Sequence, residues 1–199
     1  MLFNEIKLWP PNDIDIIHVD RIEIIQQILF LNNIFNENNL DYCVVGGTLL
    51  GAIRHQGFMP WDDDVDYLME VENIKKIIEL KILEKNNFSV EVLGSNVKNG
   101  NIIKAWKKNI HYDIWPFSIQ EKNISTHVGD FLINKTFPFR LVKFEDYAIK
   151  VPNDPKYYLD ATIPDWDKII KIKYLKDNWI LMVKRGVVDN PIFQIIDIV

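Results

Sequence analysis

Asp62, Asp63, Asp64 and Asp66 place four carboxylates within five residues. Like charges this close repel unless a cation or strong hydrogen-bond donors neutralise them, so the cluster requires a partner or open water. Asp64 and Asp66 are two apart. On an extended strand both side chains leave the same face while Val65 and Tyr67 leave the other, and a pair of this kind can share hard divalent cations. An EF-hand calcium loop beginning at Asp62 is excluded, because its sixth position is Tyr67 rather than glycine and its twelfth is Asn73 rather than glutamate. A solvated acidic loop is the competing reading.

Upstream, Gly46 and Gly47 interrupt an apolar run. With no Cβ in the way, paired glycines take positive φ and bring backbone amides close to a ligand, so Gly46, Gly47 and the hydroxyl of Thr48 are candidates to meet a nucleotide phosphate. Arg54 has the planar fork that holds a phosphate bidentately, or else makes a surface ion pair. His55 either orients the loop and touches substrate or packs as a hydrogen-bonded side chain. Trp61 either stacks on a base and walls the pocket or belongs to the core. Octahedral ligation of Mg²⁺ and two-metal phosphoryl transfer both call for a third carboxylate from a neighbouring strand; Asp113 is the candidate, with a surface carboxylate at a strand end the competing reading. Lys104, Lys107 and Lys108 precede it; they read as a solvated strand face, with diphosphate contact the alternative. His18, His111 and His127 show no partner pattern.

These groups need a scaffold. Apolar positions Ile24, Ile28, Leu31 and Phe35 have helical period over residues 20–38, with Asp20 and Glu23 fitting a capping box. Residues 41–45 read as the first core strand, turning at the glycine pair into a short helix over 48–55. Residues 65–69 form the second strand, 71–86 a helix, and 88–93, 102–106 and 111–115 further strands. Beyond residue 119 the pattern weakens: a hairpin over 141–151, a short helix over 155–159 and a longer one over 169–181. The expected class is α+β, with an antiparallel or mixed sheet flanked by helices, in a single domain spanning residues 1–199.

The chain of 199 residues carries a net charge of −5, which argues against a nucleic-acid surface, since affinity for the phosphate backbone comes from clustered Lys and Arg. Its one cysteine, Cys43, lies in an apolar run; it excludes an intramolecular disulfide and a cysteine-based zinc site, and reads as inert core. The N-terminus has no basic region followed by a continuous apolar block, and no apolar stretch approaches the ~20 residues of a membrane span. Membrane insertion is not expected, and a cytoplasmic location is. Asn87, Asn123 and Asn134 open Asn-x-Ser/Thr triplets, which in an Asn-rich chain without a signal peptide read as chance.

GGTLLGAIRH followed by GFMPWDDDVD closely resembles the signature of the LicD and fukutin-related phosphotransferase family, a branch of the polymerase-beta-like nucleotidyltransferase superfamily. The resemblance is strongest over residues 41–68, resumes near 111–117, where His111-Tyr112-Asp113-Ile114-Trp115-Pro116 is similar to a short Asp-Ile-aromatic-Pro motif, and is faint over 144–166. It implies a nucleotidyltransferase fold, with Asp64, Asp66 and Asp113 as catalytic metal ligands for Mg²⁺ or Mn²⁺. It further implies a CDP-linked donor such as CDP-choline or a CDP-alditol, whose phosphoryl-alcohol part moves to a glycan hydroxyl with release of CMP. The chain departs at Gln56, where relatives often have glycine, and at 157–166, where the family's Tyr-Gly is absent. Two other readings remain open: a nucleotidyltransferase that releases pyrophosphate, and a nucleotide-sugar or glycan-binding protein of the same fold without turnover.

Overall fold

The computed structural model describes residues 21–59, 62, 64–167, 169–173, 180–185 and 193–197. Helix α1 (Arg21–Glu37) leads into β1 (Tyr42–Val44), α2 (Gly46–Arg54) and β2 (Asp64–Glu70). Helices α3 (Val71–Leu80) and α4 (Ile82–Lys85) follow, then β3 (Ser89–Gly94), β4 (Asn101–Lys107) and the long β5 (Ile110–Gln120). After these come β6 (Asn123–Thr126), β7 (Gly129–Leu132), α5 (Ile133–Thr136), β8 (Arg140–Phe144), β9 (Tyr147–Val151) and α6 (Pro155–Thr162).

One mixed sheet carries the site. Its main order is β1-β2-β5-β4-β3, with β6 paired to β5 and β7 to β6. Only the β2–β5 contact is parallel, because α3, α4 and two strands intervene and let the chain return in the same direction. Strand β5 is central: β2 runs along one edge, while β4 pairs with its first half and β6 with its last residues on the other. This is the expected α+β class.

Strand β2 sorts its side chains as its alternation requires. Val65 and Tyr67 are fully buried, whereas Asp64 and Asp66 are not. Helix α1 covers the buried face with Ile24, Ile28, Leu31 and Phe35, the expected helical stripe. The Tyr67 ring meets Phe35 edge-on at 5.4 Å and Tyr42 at 5.7 Å, and its hydroxyl donates to Asn32 Oδ1 at 3.0 Å within the core. Tyr67→Phe is expected to lower the unfolding free energy by about 1–3 kcal/mol, because the Asn32 oxygen is left buried without its donor. Adding Asn32→Leu should recover part of that loss in urea unfolding; equal stability of Tyr67→Phe and wild type would show that the oxygen finds another donor.

Two boundaries differ from expectation. The helix expected over 71–86 breaks at Lys81, which takes a left-handed conformation (φ 51°) and closes α3 with its N–H on Ile77 and Ile78 carbonyls. Where a helix was expected over 169–181, the described residues are strands: Ile169–Lys173 (β10) and Ile180–Arg185 (β11) are antiparallel, joined by Phe193–Asp197 (β12) in a separate three-stranded sheet. Ile and Lys alternate along β10 at a period of two, and β-branched residues favour a strand at that spacing. The β6–β7 hairpin was not expected. Asp20 of the capping box, Trp61 and Asp63 lie outside the described residues.

The described residues up to 162 form one compact unit, and those from 163 onward belong to a second. Among the described residues no helix is long and apolar enough to cross a membrane.

Candidate active site

The parallel register places Asp64 beside His111 and Asp66 beside Asp113. Each strand repeats every two residues, so all four side chains stand on one face of the sheet, on neighbouring strands spaced about 4.8 Å apart. One donor atom each from Asp64, His111 and Asp113 falls within 4.8 Å of the others. His111 Nε2 lies 2.9 Å from Asp113 Oδ1, yet this buried nitrogen makes no hydrogen bond: the atoms are close without the required directionality. The His111 ring is set by Trp106, its cross-strand partner on β4, which stacks on it at 5.0 Å and 7°. Asp113, only 5% exposed, is also approached by Lys104, whose Nζ is 3.3 Å from both carboxylate oxygens.

Lys104 therefore departs from the expected solvated face. Lys107 also differs, lying over the rings of Phe30 and Phe88 at 4.2 and 4.8 Å, while Lys108 pairs with Glu23 at 2.6 Å.

Asp66 is held from both sides. Trp115 Nε1–H donates to its Oδ1 at 2.9 Å and the Gly47 amide to its Oδ2 at 3.3 Å. Its own amide donates to Thr48 Oγ1 at 2.9 Å, and its carbonyl accepts from Val45 N–H at 3.1 Å. Burial, and next the charge of Asp64, push the Asp66 carboxyl up to about 7, with Asp113 adding to the rise; the Trp115 and Gly47 donors pull against it. The glycine pair makes this approach possible. Gly46 has φ +54°, and a Cβ there would lie 2.2 Å from Asp66 Oδ2; a Cβ on Gly47 would lie 2.6 Å from Asp62 Oδ2.

Within the protein, then, the Gly47 amide and Thr48 hydroxyl serve Asp66. Arg54 and His55 stand at the far end of α2 from Gly46, about 12 Å along its axis at 1.5 Å per residue. Arg54 Nε donates to His55 Nε2 at 3.0 Å and its Nη2 approaches Met59 Sδ at 3.4 Å, while the His55 amide caps the helix on the Gly51 carbonyl. Gln56 has φ +55°, the left-handed conformation that explains why glycine suits this position.

Sequence reasoning passed over three residues that the fold brings to the carboxylates: His111, Lys104 and Trp115. One signal was available. His111, Asp113 and Trp115 are spaced at two, as Asp64 and Asp66 are, so one strand face must present all three. Trp115 in turn stacks on His127 at 4.0 Å, and burial lowers the basicity of that imidazole.

Three crowded carboxylates and an imidazole suit a divalent cation. Donor atoms of Asp64, His111 and Asp113 converge, the His111 Nε2 lacks a hydrogen bond, and the repulsion felt by Asp66 beside them is relieved by a positive ion.

Over 131 residues, 60% of this chain and 26% of the relative, the sequence is 31% identical to the human ribitol 5-phosphate transferase FKRP. Over 41 residues, 21% of this chain and 16% of the relative, it is 46% identical to the lipopolysaccharide cholinephosphotransferase LicD of Haemophilus influenzae. The chain spans about half the length, or less, of the curated relatives it matches, 44% and 52% for two Rickettsia proteins. In structure it is similar to ANT(2″)-Ia, a nucleotidyltransferase solved in complex with adenylyl-2″-tobramycin, with a TM-score of 0.51 and 16% identity over 71% of this chain and 79% of that one. That likeness shows the nucleotidyltransferase fold. Residues 39–154, more than half of the sequence, match the family described as LicD/FKTN/FKRP, nucleotidyltransferase domain, and the chain belongs to that family.

Proposed function

We propose that this protein is a metal-dependent phosphotransferase that moves a phosphoryl-alcohol group, phosphocholine or an alditol phosphate, from a CDP-linked donor to a hydroxyl on a glycan. The observation that carries the reading is the shared face of β2 and β5, where Asp64, Asp66 and Asp113 meet beside the glycine pair. Membership in the family and the transferase names of LicD and FKRP support the reaction class.

Asp64, Asp66 and Asp113 would hold Mg²⁺ or Mn²⁺. When bound, the ion neutralises the donor's diphosphate and polarises the phosphoryl group in transfer. The rest falls to the chain. Trp115 and Gly47 keep Asp66 in one orientation, and the parallel register keeps Asp113 beside it. The acceptor oxygen attacks the phosphorus that bears the alcohol, the bond from that phosphorus to the bridging oxygen breaks, and CMP leaves with the bridging oxygen. Asp113 takes the acceptor's proton. Positioning and charge neutralisation dominate such transfer, so few reactive side chains are needed. Gly46, Gly47 and Thr48, in addition to their hold on Asp66, and Arg54, His55 and Trp61 are assigned to the nucleotide and substrate side.

The test is thermal stability with CDP-choline, CDP-ribitol and other nucleotides, each with Mn²⁺, Mg²⁺ or EDTA, followed by product analysis. At ~100 times its dissociation constant a ligand stabilises by about 2.7 kcal/mol. Metal-dependent stabilisation by a cytidine compound with release of CMP is expected. Release of pyrophosphate from a nucleoside triphosphate would replace the reading with nucleotidyl transfer, and binding without turnover would leave a binding protein.

A further inference from the structure

We propose that His111 binds the metal directly through Nε2, and that this nitrogen ligand makes the site favour manganese over magnesium. The inference rests on the metal-dependent reading above and adds to it the identity of one ligand and the choice of ion.

The register alone puts His111 in the site. It is the β5 partner of Asp64 and stands two residues before Asp113, so its side chain leaves the sheet on the carboxylate face. Its orientation is fixed in advance by Trp106, stacked on the ring at 5.0 Å. A histidine that merely packs in a core satisfies its buried ring nitrogen with a donor or an acceptor. His111 Nε2 instead sits 2.9 Å from Asp113 Oδ1, within ion-pair reach of that carboxylate but without hydrogen-bond geometry. One donor atom each from Asp64, His111 and Asp113 lies within 4.8 Å of the others, and together they surround a point that a cation would occupy. Donor atoms of Asp64, His111 and Asp113 converge, so the imidazole joins the carboxylate set beside Asp66, which Trp115 and Gly47 orient.

The nitrogen has consequences for ion choice. Magnesium is a small, hard ion that keeps water and takes oxygen ligands, whereas first-row transition ions accept imidazole readily. A site of oxygens alone leaves the two ions close in affinity, and an imidazole among them separates their affinities.

The full chain with Mn²⁺ alone, and no donor, tests this by pulsed electron paramagnetic resonance. Modulation from a directly bound ¹⁴N is expected in the wild type, altered by ¹⁵N-histidine labelling and lost in His111→Asn. Competition with Mg²⁺ supplies a second measurement: His111→Asp, which keeps an oxygen at the position, should still bind Mn²⁺ but lose about tenfold or more of the preference over Mg²⁺. Mn²⁺ bound without nitrogen coupling, or coupling that survives in His111→Asn, would overturn the assignment while leaving metal-dependent transfer standing. Failure of the wild type to bind Mn²⁺ at all would overturn both.

Discussion

Asp66→Asn should fold, lose at least about 10²–10³-fold in transfer rate, and, with EDTA present, be more stable than the wild type at pH 8. The two effects have one origin. Burial and the charge of Asp64 raise the Asp66 carboxyl to about 7, against an ordinary value of 3.8. The native state therefore holds this proton more tightly than the unfolded chain does. The sign follows: the stability of the metal-free protein falls as pH rises from about 4 to about 7, and stays lower above that window. Asparagine does not titrate, so the variant should lack this slope. Each pKa unit is worth about 1.4 kcal/mol, which makes the advantage at pH 8 a few kcal/mol. Trp115 and Gly47 donate to opposite oxygens of Asp66, and in asparagine one of those positions is an NH2 that cannot accept, which takes back about 1 kcal/mol. Urea midpoints at pH 5 and pH 8 with EDTA check the sign. Adding Mn²⁺ should reverse the order at pH 8, because the wild type gains a ligand-bound state that the variant has largely lost. Parallel pH profiles for the two proteins would place the strained charge elsewhere, and undiminished turnover would remove Asp66 from the machinery.

What could be read in the sequence divides by the range of the interaction. The spacing of Asp64 and Asp66 states its own geometry, since a strand has only two faces, and the glycine pair announces a close approach. Both are local. The partner at that approach was not legible: Gly46 and Gly47 admit the carboxylates of Asp66 and Asp62, where the spacing alone pointed to a phosphate. His111 was missed for a related reason. Its role depends on the parallel register with β2, set by a connection of some 40 residues that no short pattern encodes. Lys104 likewise reaches Asp113 only because β4 returns antiparallel to β5. The strands at 169–173 and 180–185 carry apolar residues at spacings compatible with either period, and β-branching was the signal that should have decided between them.

Gly46→Ala tests the close approach itself and should remove both stability and turnover. At φ +54° an alanine pays the left-handed penalty, about 1–2 kcal/mol, before any contact is considered. Its Cβ would also stand 2.2 Å from Asp66 Oδ2 and 2.8 Å from Cγ, so the carboxylate or the start of α2 must move. Overpacking of this kind costs about 1–3 kcal/mol more, and a displaced Asp66 no longer faces Asp113. The expected total is about 2–5 kcal/mol by urea unfolding, with turnover falling as in Asp66→Asn. Gly94→Ala is the control: a Cβ there meets nothing within 4 Å, and stability should stay within about 0.5 kcal/mol of wild type. A double-mutant cycle separates the two terms. In an Asp66→Ala background the Oδ2 and Cγ atoms are gone and only the Cβ at 3.2 Å remains, so Gly46→Ala should then cost little more than its backbone penalty, and the difference of about 1–3 kcal/mol is the coupling between the glycine and the carboxylate. Full additivity would mean that Asp66 does not lie against Gly46. In that case the glycine would be present for its backbone alone, and the account of how α2 positions the carboxylate would fail.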